Sequence, residues 1–234
     1  MKRVSLELGG KSPVIVLDDC DADVAAQGAA AAIFFNQGQV CTAGSRLYVQ
    51  KGLYAKVVER LADLAAGMKL GSGFAPDTQV GPLVSARHQQ RVMDYIGIGR
   101  AEGGKVLAGG AAGEGAGYFV RPTVFTDLPQ DARMAREEIF GPVVVAQPFD
   151  TLDDAVRLAN DSAFGLGASL WSNDLTRVQR LIPRIDAGTL WINTHNMLDP
   201  NMPFGGFKQS GIGREHGRAV LDMYLEKKSV CIAY

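Results

Sequence analysis

The sequence predicts an α/β fold with a mostly parallel, twisted sheet flanked by helices. Three observations predict it. Short apolar runs alternate with helix-period segments along the chain. The composition, 47% apolar and 21% charged over 234 residues, supplies ample material for a core. There is no internal repeat, and no linker long enough to separate two independent domains.

The elements follow in order. Pro13 to Leu17 reads as a buried strand closed by the acidic turn Asp18-Asp19. Asp21 or Asp23 is placed to cap the alanine-rich helix that runs to about Phe35, because a carboxylate there accepts from the unpaired N–H groups of the first turn. A glycine-containing segment, Asn36 to Ser45, precedes a strand over Arg46 to Gln50 and an amphipathic helix over Leu53 to Ala66. Ser85 caps a helix reaching about Glu102. Val106-Leu107 reads as a short strand, and 109–118 (GGAAGEGAGY) as a small-residue surface loop. Strands are expected over Phe119 to Phe125, Val143 to Gln147, Ala168 to Trp171, Thr189 to Asn193 and Ser229 to Tyr234. Helices are expected over Leu152 to Asn160, Leu175 to Ile185 and Glu215 to Leu225.

The formal charge of −1, with no block of like charge, argues against a nucleic-acid partner or a polybasic membrane patch. No apolar run approaches the roughly 18 residues that span a bilayer, and the start has no signal-peptide core before Glu7. The three cysteines, Cys20, Cys41 and Cys231, make a poor disulfide framework and suit a reducing, cytoplasmic setting. They share no ligand spacing with His88, His195 or His216, so no metal is expected.

Cys41 sits in Phe35-Asn36-Gln37-Gly38-Gln39-Val40-Cys41-Thr42-Ala43-Gly44-Ser45. A lone cysteine is often a buried structural thiol. Here Gly38 and Gly44 permit irregular backbone on both sides, and the polar neighbours suit a dry core badly. On a tight turn, backbone N–H groups would stabilise a thiolate, lower its pKa and serve a developing oxyanion. Glu7 lies 34 positions upstream in Glu7-Leu8-Gly9-Gly10-Lys11-Ser12-Pro13. It reads either as a strand-end carboxylate paired with Lys11 or as a partly buried general base with a raised pKa. Gly9-Gly10 would let a flat ligand lie against bare backbone.

These two motifs are followed by Glu137-Glu138-Ile139-Phe140-Gly141-Pro142 and by Pro203-Phe204-Gly205-Gly206-Phe207-Lys208-Gln209-Ser210-Gly211. Four motifs in this order and spacing closely resemble the NAD(P)-dependent aldehyde dehydrogenase superfamily, from Leu6 to the end of the chain. The resemblance implies Cys41 as nucleophile and Glu7 as the base that hydrolyses a thioester. It implies Glu138 as a nicotinamide-ribose contact, Phe140 as the aromatic beside it, and Leu8 and Gly9 lining the nicotinamide. Val40, Thr42 and Phe204 are expected at the substrate pocket. NAD or NADP is the implied cofactor, and a homo-oligomer, dimer or tetramer, the implied assembly. His195 and His216 are read as non-catalytic.

In the family the second oxyanion donor, an asparagine, and most of the nucleotide-binding domain lie upstream of the Glu motif. With six residues before Glu7, the expected layout is 1–17 as a remnant of the coenzyme-binding domain, 18–211 as the catalytic domain and 212–234 as a C-terminal helix and oligomerisation strand. Such a chain is expected to bind NAD weakly, leaving an inactive catalytic-domain fragment or an association module as the alternative reading. A CoA-acylating relative fits less well, since those generally lack the acid that Glu7 supplies. The run Thr194 to Pro203, with apolar Met197, Leu198 and Met202, is similar to the corresponding loop of phenylacetaldehyde dehydrogenases. It suggests an aryl aldehyde, with a medium-chain aliphatic or betaine-type aldehyde as the alternative.

Overall fold

A computed structural model describes residues 2–234. In chain order its elements begin with β1 (Leu6–Glu7), β2 (Pro13–Val16), α1 (Ala22–Phe34), β3 (Arg46–Gln50), α2 (Lys51–Gly67), α3 (Ala86–Ala101), β4 (Lys105–Ala108) and β5 (Thr123–Thr126). They continue with α4 (Arg133–Arg136), β6 (Val143–Phe149), α5 (Leu152–Asn160), β7 (Phe164–Gly165), β8 (Gly167–Trp171), α6 (Leu175–Leu181) and β9 (Thr189–Ile192). The last are β10 (Phe207–Lys208), β11 (Gly211–Ile212) and α7 (Leu221–Tyr224).

Seven strands form one sheet in the order β4-β5-β6-β3-β2-β8-β9. Every neighbouring pair is parallel except β4 with β5, so the antiparallel pair lies at one edge. Alternation along the strands divides the core into two faces. Val14, Val16, Leu47 and Val49 point to the face covered by α1 and α2. Ile15, Leu17, Tyr48 and Leu170 point to the opposite face, beneath α5 and α6. A third cluster, with Val92, Ile96, Phe125 and Val145, seats α3 beside the β5–β6 side of the sheet. Fully buried strand side chains of this size each stabilise the fold by about 1.5–3 kcal/mol before the entropy of ordering them is counted.

The starts of α1 and α3 are capped as the sequence suggests, and α5 carries a cap that it did not single out. Asp21 Oδ1 accepts from Val24 N at 3.0 Å, Ser85 Oγ accepts from His88 N at 3.2 Å, and Thr151 with Asp154 forms a reciprocal capping box on α5. Four expectations need correction. The strand expected from Phe119 begins at Thr123, because Pro122 has no N–H to give a ladder. The 109–118 segment is a mostly exposed loop, as expected, tied back by an Ala112–Val120 bridge and a bond from Gly113 N to Phe119 O. The helix from Leu175 stops at Leu181 and passes into a 3₁₀ turn containing Pro183. No long helix spans Glu215 to Leu225: Glu215 pairs with Phe204, Gly217 turns at φ 57°, and only a 3₁₀ turn and α7 follow. Ser229 to Tyr234 forms no strand among the described residues; an extended segment needs a partner edge, and none lies beside it in this chain.

Candidate active site

The site is assembled on two small antiparallel pairs outside the main sheet. In the first, β1 meets β11, with Glu7 opposite Gly211, and Leu8 N donates to Ser210 O at 3.1 Å. In the second, β7 meets β10. Ser210 joins them: its buried hydroxyl accepts from Gly165 N at 3.0 Å and donates to Gly9 O at 2.7 Å. The Glu7 strand is thereby fixed against the last glycine motif of the sequence.

All four sequence motifs converge on Gly9-Gly10. Gly10 N donates to Glu138 Oε1 at 3.0 Å. A β-carbon on Gly9 would lie 2.2 Å from Glu138 Oε2, and one on Gly10 would lie 2.2 Å from the carbonyl oxygen of Cys41. A β-carbon on Gly205 would lie 3.1 Å from Glu7 Oε1. The Cys41 turn, the Glu7 acid, the Glu-Ile-Phe-Gly motif and the terminal Gly-Gly motif thus gather around one stretch of backbone without side chains. Arg91 donates to Glu138 O at 2.8 Å and extends this side of the site into a groove lined by Tyr95, Arg133 and Glu137.

Cys41 is half-buried, at the end of a run in which Asn36, Gln37 and Gly38 all take positive φ (48°, 56° and 69°). Two consecutive non-glycine residues in the left-handed region signal a backbone held by its surroundings. Gln39 supplies part of that hold, accepting from Val84 N at 3.0 Å. The backbone N–H groups of Thr42 and Cys41 act to lower the pKa of the thiol. Burial nevertheless dominates, and with the charges of Glu7 and Glu138 it pushes the thiol above its ordinary 9.0. The expectation of a lowered thiol pKa is therefore corrected: the two N–H groups offset the loss of water only in part.

Glu7 is more exposed than the sequence suggested. Its pKa is still raised, by partial burial first and by Glu215 second, against the lowering charges of Arg214 and His216. It does not pair with Lys11, whose amine is buried without a hydrogen-bond partner; burial and then Arg46 lower that amine to about 7. Phe140 adopts φ 62°, and His88 Nε2 donates to its carbonyl at 2.6 Å. A bulky residue in that region is an outlier, here pinned beside Glu138. Leu8 is exposed near Gly9, and Val40 packs against the core below α1. Thr42 is buried with its hydroxyl donating to Asn196 Oδ1 at 2.6 Å. Phe204 bridges to Glu215 and stacks obliquely on His216, 6.1 Å between ring centroids.

Sequence reasoning missed Ser210, His88 and the role of His195, which bonds to the residue after Cys41. Ser210 sat inside a recognised motif and could have been weighed; the two histidines carried no pattern.

These residues fit the nicotinamide end of a dinucleotide. The glycine pair is backbone with no side chain of its own, and the Glu138 carboxylate is an acceptor lying against it. Among the described residues no group of three His, Cys, Asp or Glu is placed to hold a metal ion, and no helix is long and apolar enough to cross a membrane.

Fold and site together describe an α/β protein with a thiol set beside an acid and a bare glycine backbone. Residues 1–230 match the profile described as the aldehyde dehydrogenase family, and the chain belongs to that family. It is 52% identical, over 100% of its length, to a phenylacetaldehyde dehydrogenase of Pseudomonas fluorescens, of which it covers 47%. It is 45% identical to a betaine aldehyde dehydrogenase of Mesorhizobium japonicum, covering 99% of this chain and 48% of that one. The structure of an aldehyde dehydrogenase from Bacillus cereus in complex with NAD+ superposes with a TM-score of 0.96 and 48% identity, over 98% of this chain and 47% of that one. The chain therefore spans about half the length of these relatives.

Proposed function

We propose that the protein serves the NAD(P)-dependent oxidation of an aldehyde to a carboxylic acid, with Cys41 as nucleophile and Glu7 as general base. The observation that carries this reading is that Cys41 and Glu138 both lie against the Gly9-Gly10 backbone, which follows Glu7 directly in the chain, while Glu7 itself meets Gly205 of the terminal Gly-Gly motif. The thiolate of Cys41 adds to the aldehyde carbon, and the carbonyl oxygen becomes an oxyanion held by the Cys41 N–H. The hydride acceptor that turns this thiohemiacetal into a thioester is the chemistry NAD(P)+ supplies when bound. Leu8, Gly9, Glu138 and Phe140 would hold its nicotinamide end. Glu7 then takes a proton from water, the resulting hydroxide adds to the thioester carbon, and the C–S bond breaks to release the acid and return the Cys41 thiolate. A carboxylate raised by burial is the better base for that proton.

The aryl reading of the substrate is supported by the named activity of the 52% identical relative and by the exposed apolar Met197, Leu198 and Met202 on the 194–203 loop. On the same reading residues 18–211 form the catalytic domain, 1–17 belong with the coenzyme domain, and 212–234 serve a homo-oligomer. Exposed Val230, Ile232 and Tyr234 support the last point, and three unpaired cysteines suit the cytoplasm.

The test is cleavage of 4-nitrophenyl acetate, which needs the nucleophile and the base but no hydride acceptor. Wild type should form an acetyl adduct on Cys41 and turn over. Cys41→Ala should lose both, and Glu7→Gln should keep the adduct and hydrolyse it slowly. Undiminished turnover in Cys41→Ala would remove the reading.

A further inference from the structure

We infer that His195 is a positioning residue for the nucleophile, holding the Cys41–Thr42 turn in register from beneath. The inference rests on the reading of Cys41 as the nucleophile. It starts from geometry that the proposed chemistry does not use. Thr42, directly after Cys41, is gripped at both of its outward polar groups by two consecutive residues of the 194–202 loop. His195 Nε2 lies 2.8 Å from Thr42 O, and Thr42 Oγ1 donates to Asn196 Oδ1 at 2.6 Å.

The bond to the carbonyl fixes the tautomer. A carbonyl oxygen only accepts, so Nε2 carries the hydrogen. Nδ1, 2.9 Å from Ser169 Oγ, then accepts from that hydroxyl in the neutral ring. Burial keeps the ring neutral by lowering its pKa from 6.5, against the bond to Thr42. Ser169 is fully buried on β8, inside the main sheet. The chain of bonds therefore runs from β8, through one imidazole, to the residue next to Cys41, whose N–H favours its thiolate. The ring is further set against Trp191, 4.9 Å between centroids, and Trp191 Nε1 donates to Met197 O at 2.7 Å.

The local backbone is shaped for this. Asn193 and Asn196 both take positive φ (54° and 59°), a conformation asparagine tolerates better than most residues. Asn193 is locked by bonds to both the N–H and the carbonyl of Ser172. The two left-handed residues fold the loop so that His195 and Asn196 reach Thr42 together.

Thr42 is held by its carbonyl and its hydroxyl on either side of its Cα. Releasing them would let the residue turn about that Cα, carry its N–H in the preceding peptide unit away from the sulfur, and leave a half-buried thiolate with one donor fewer. Losing His195 should therefore make Cys41 a slower nucleophile with a higher apparent pKa. The experiment is alkylation of the full chain by iodoacetamide across pH, in a Cys231→Ser background that removes the exposed thiol. The Cys41 peptide is quantified by mass spectrometry, and folding is checked by circular dichroism. His195→Phe should slow Cys41 roughly five- to tenfold near neutral pH, the size expected for one lost hydrogen bond, and move its midpoint upward. His195→Gln, whose amide N–H can reach the same carbonyl, should restore most of the rate. If His195→Phe does not fold, Ser169→Ala loosens the ring from its other side and should slow Cys41 in the same direction.

Unchanged rate and midpoint in folded His195→Phe, or in Ser169→Ala when that is the variant measured, overturn the inference and leave the proposed function standing. A His195→Gln variant as slow as His195→Phe overturns it also. A wild-type Cys41 no more reactive than Cys20, which burial holds near 11, would remove the nucleophile reading itself, and the inference with it.

Discussion

Gly10 faces Cys41 with no room for a methyl group: a β-carbon on Gly10 would stand 2.2 Å from the Cys41 carbonyl oxygen, a backbone atom. Gly9 is crowded as closely, but by the far end of the Glu138 side chain. The two substitutions should therefore differ. Gly10→Ala should displace the nucleophile turn, destabilise the fold by about 1–3 kcal/mol and abolish Cys41-dependent ester cleavage. Gly9→Ala should be folded near wild-type stability, because the carboxylate can swing aside, and should lose coenzyme contacts before it loses thiol reactivity. Thermal melts and iodoacetamide alkylation of the two variants check this pair of outcomes.

Glu7 and Glu138 both raise the Cys41 thiol, after burial. Glu7→Gln should lower the pH midpoint of Cys41 alkylation while slowing hydrolysis of the acetyl adduct. Opposite movement of the two steps is the signature; a parallel loss would mean that Glu7 merely supports the turn.

The raised pKa of Glu7 also sets a sign for stability. A folded value above the ordinary 4.5 contributes stability that is present below 4.5 and lost as pH rises through the folded value. Glu7→Gln should flatten that part of the stability–pH curve, while in the wild type deacylation should climb over the same interval as the base ionises. Urea melts and single-turnover hydrolysis, both run across this interval, measure the two effects.

Lys11 gives the opposite case at higher pH. Its amine is lowered from 10.5 to about 7, by burial and then by Arg46, against the pull of Glu138 and Glu137. Stability should be fullest above 10.5 and fall as pH drops from there toward 7, where the buried amine takes up its proton. Lys11→Met should raise stability by roughly 1–4 kcal/mol at neutral pH, and the advantage should shrink as pH approaches 10.5. A variant less stable than wild type at pH 7 would show that the charge is solvated in a way its burial does not suggest.

Ser210→Ala removes a buried hydroxyl that serves Gly165 N and Gly9 O at once. The Gly165 N–H loses its acceptor, a cost of about 1–3 kcal/mol, and the Glu7 strand loses its tie to β7. Chemical denaturation should show the destabilisation, with ester hydrolysis falling more than the acylation of Cys41.

Periodicity and turn chemistry made most of the sheet legible. Alternating faces such as Val14/Ile15/Val16 and the caps at Asp21 and Ser85 are local signals, written within a few residues of where they act. The ends of elements were harder wherever tertiary pairing overrode local pattern. Glu215 looks like the start of a helix, yet its backbone is claimed by Phe204. β1, β7, β10 and β11 are two residues long and carry no period at all. At the site, the motif residues were legible through resemblance. The electrostatic outcome at Cys41 was not, because burial of a thiol and the reach of two distant carboxylates exist only in three dimensions. His195 was legible only as a histidine; its tautomer and its hold on Thr42 come from contacts across 153 positions.

The pairing of Glu7 with Gly211 has a kinetic consequence. Glu7 is held by Gly211, far along the sequence, so closing this contact means closing the long loop between positions 7 and 211. Closing so long a loop is entropically more costly, and slower, than the short-range β5–β6 and β8–β9 pairings of the main sheet. During refolding, or as the chain leaves the ribosome, the central sheet can form before Glu7 has anything to lie against. Recovery of deacylation should therefore lag recovery of secondary structure, and the appearance of hydrolytic turnover would time the last step of folding.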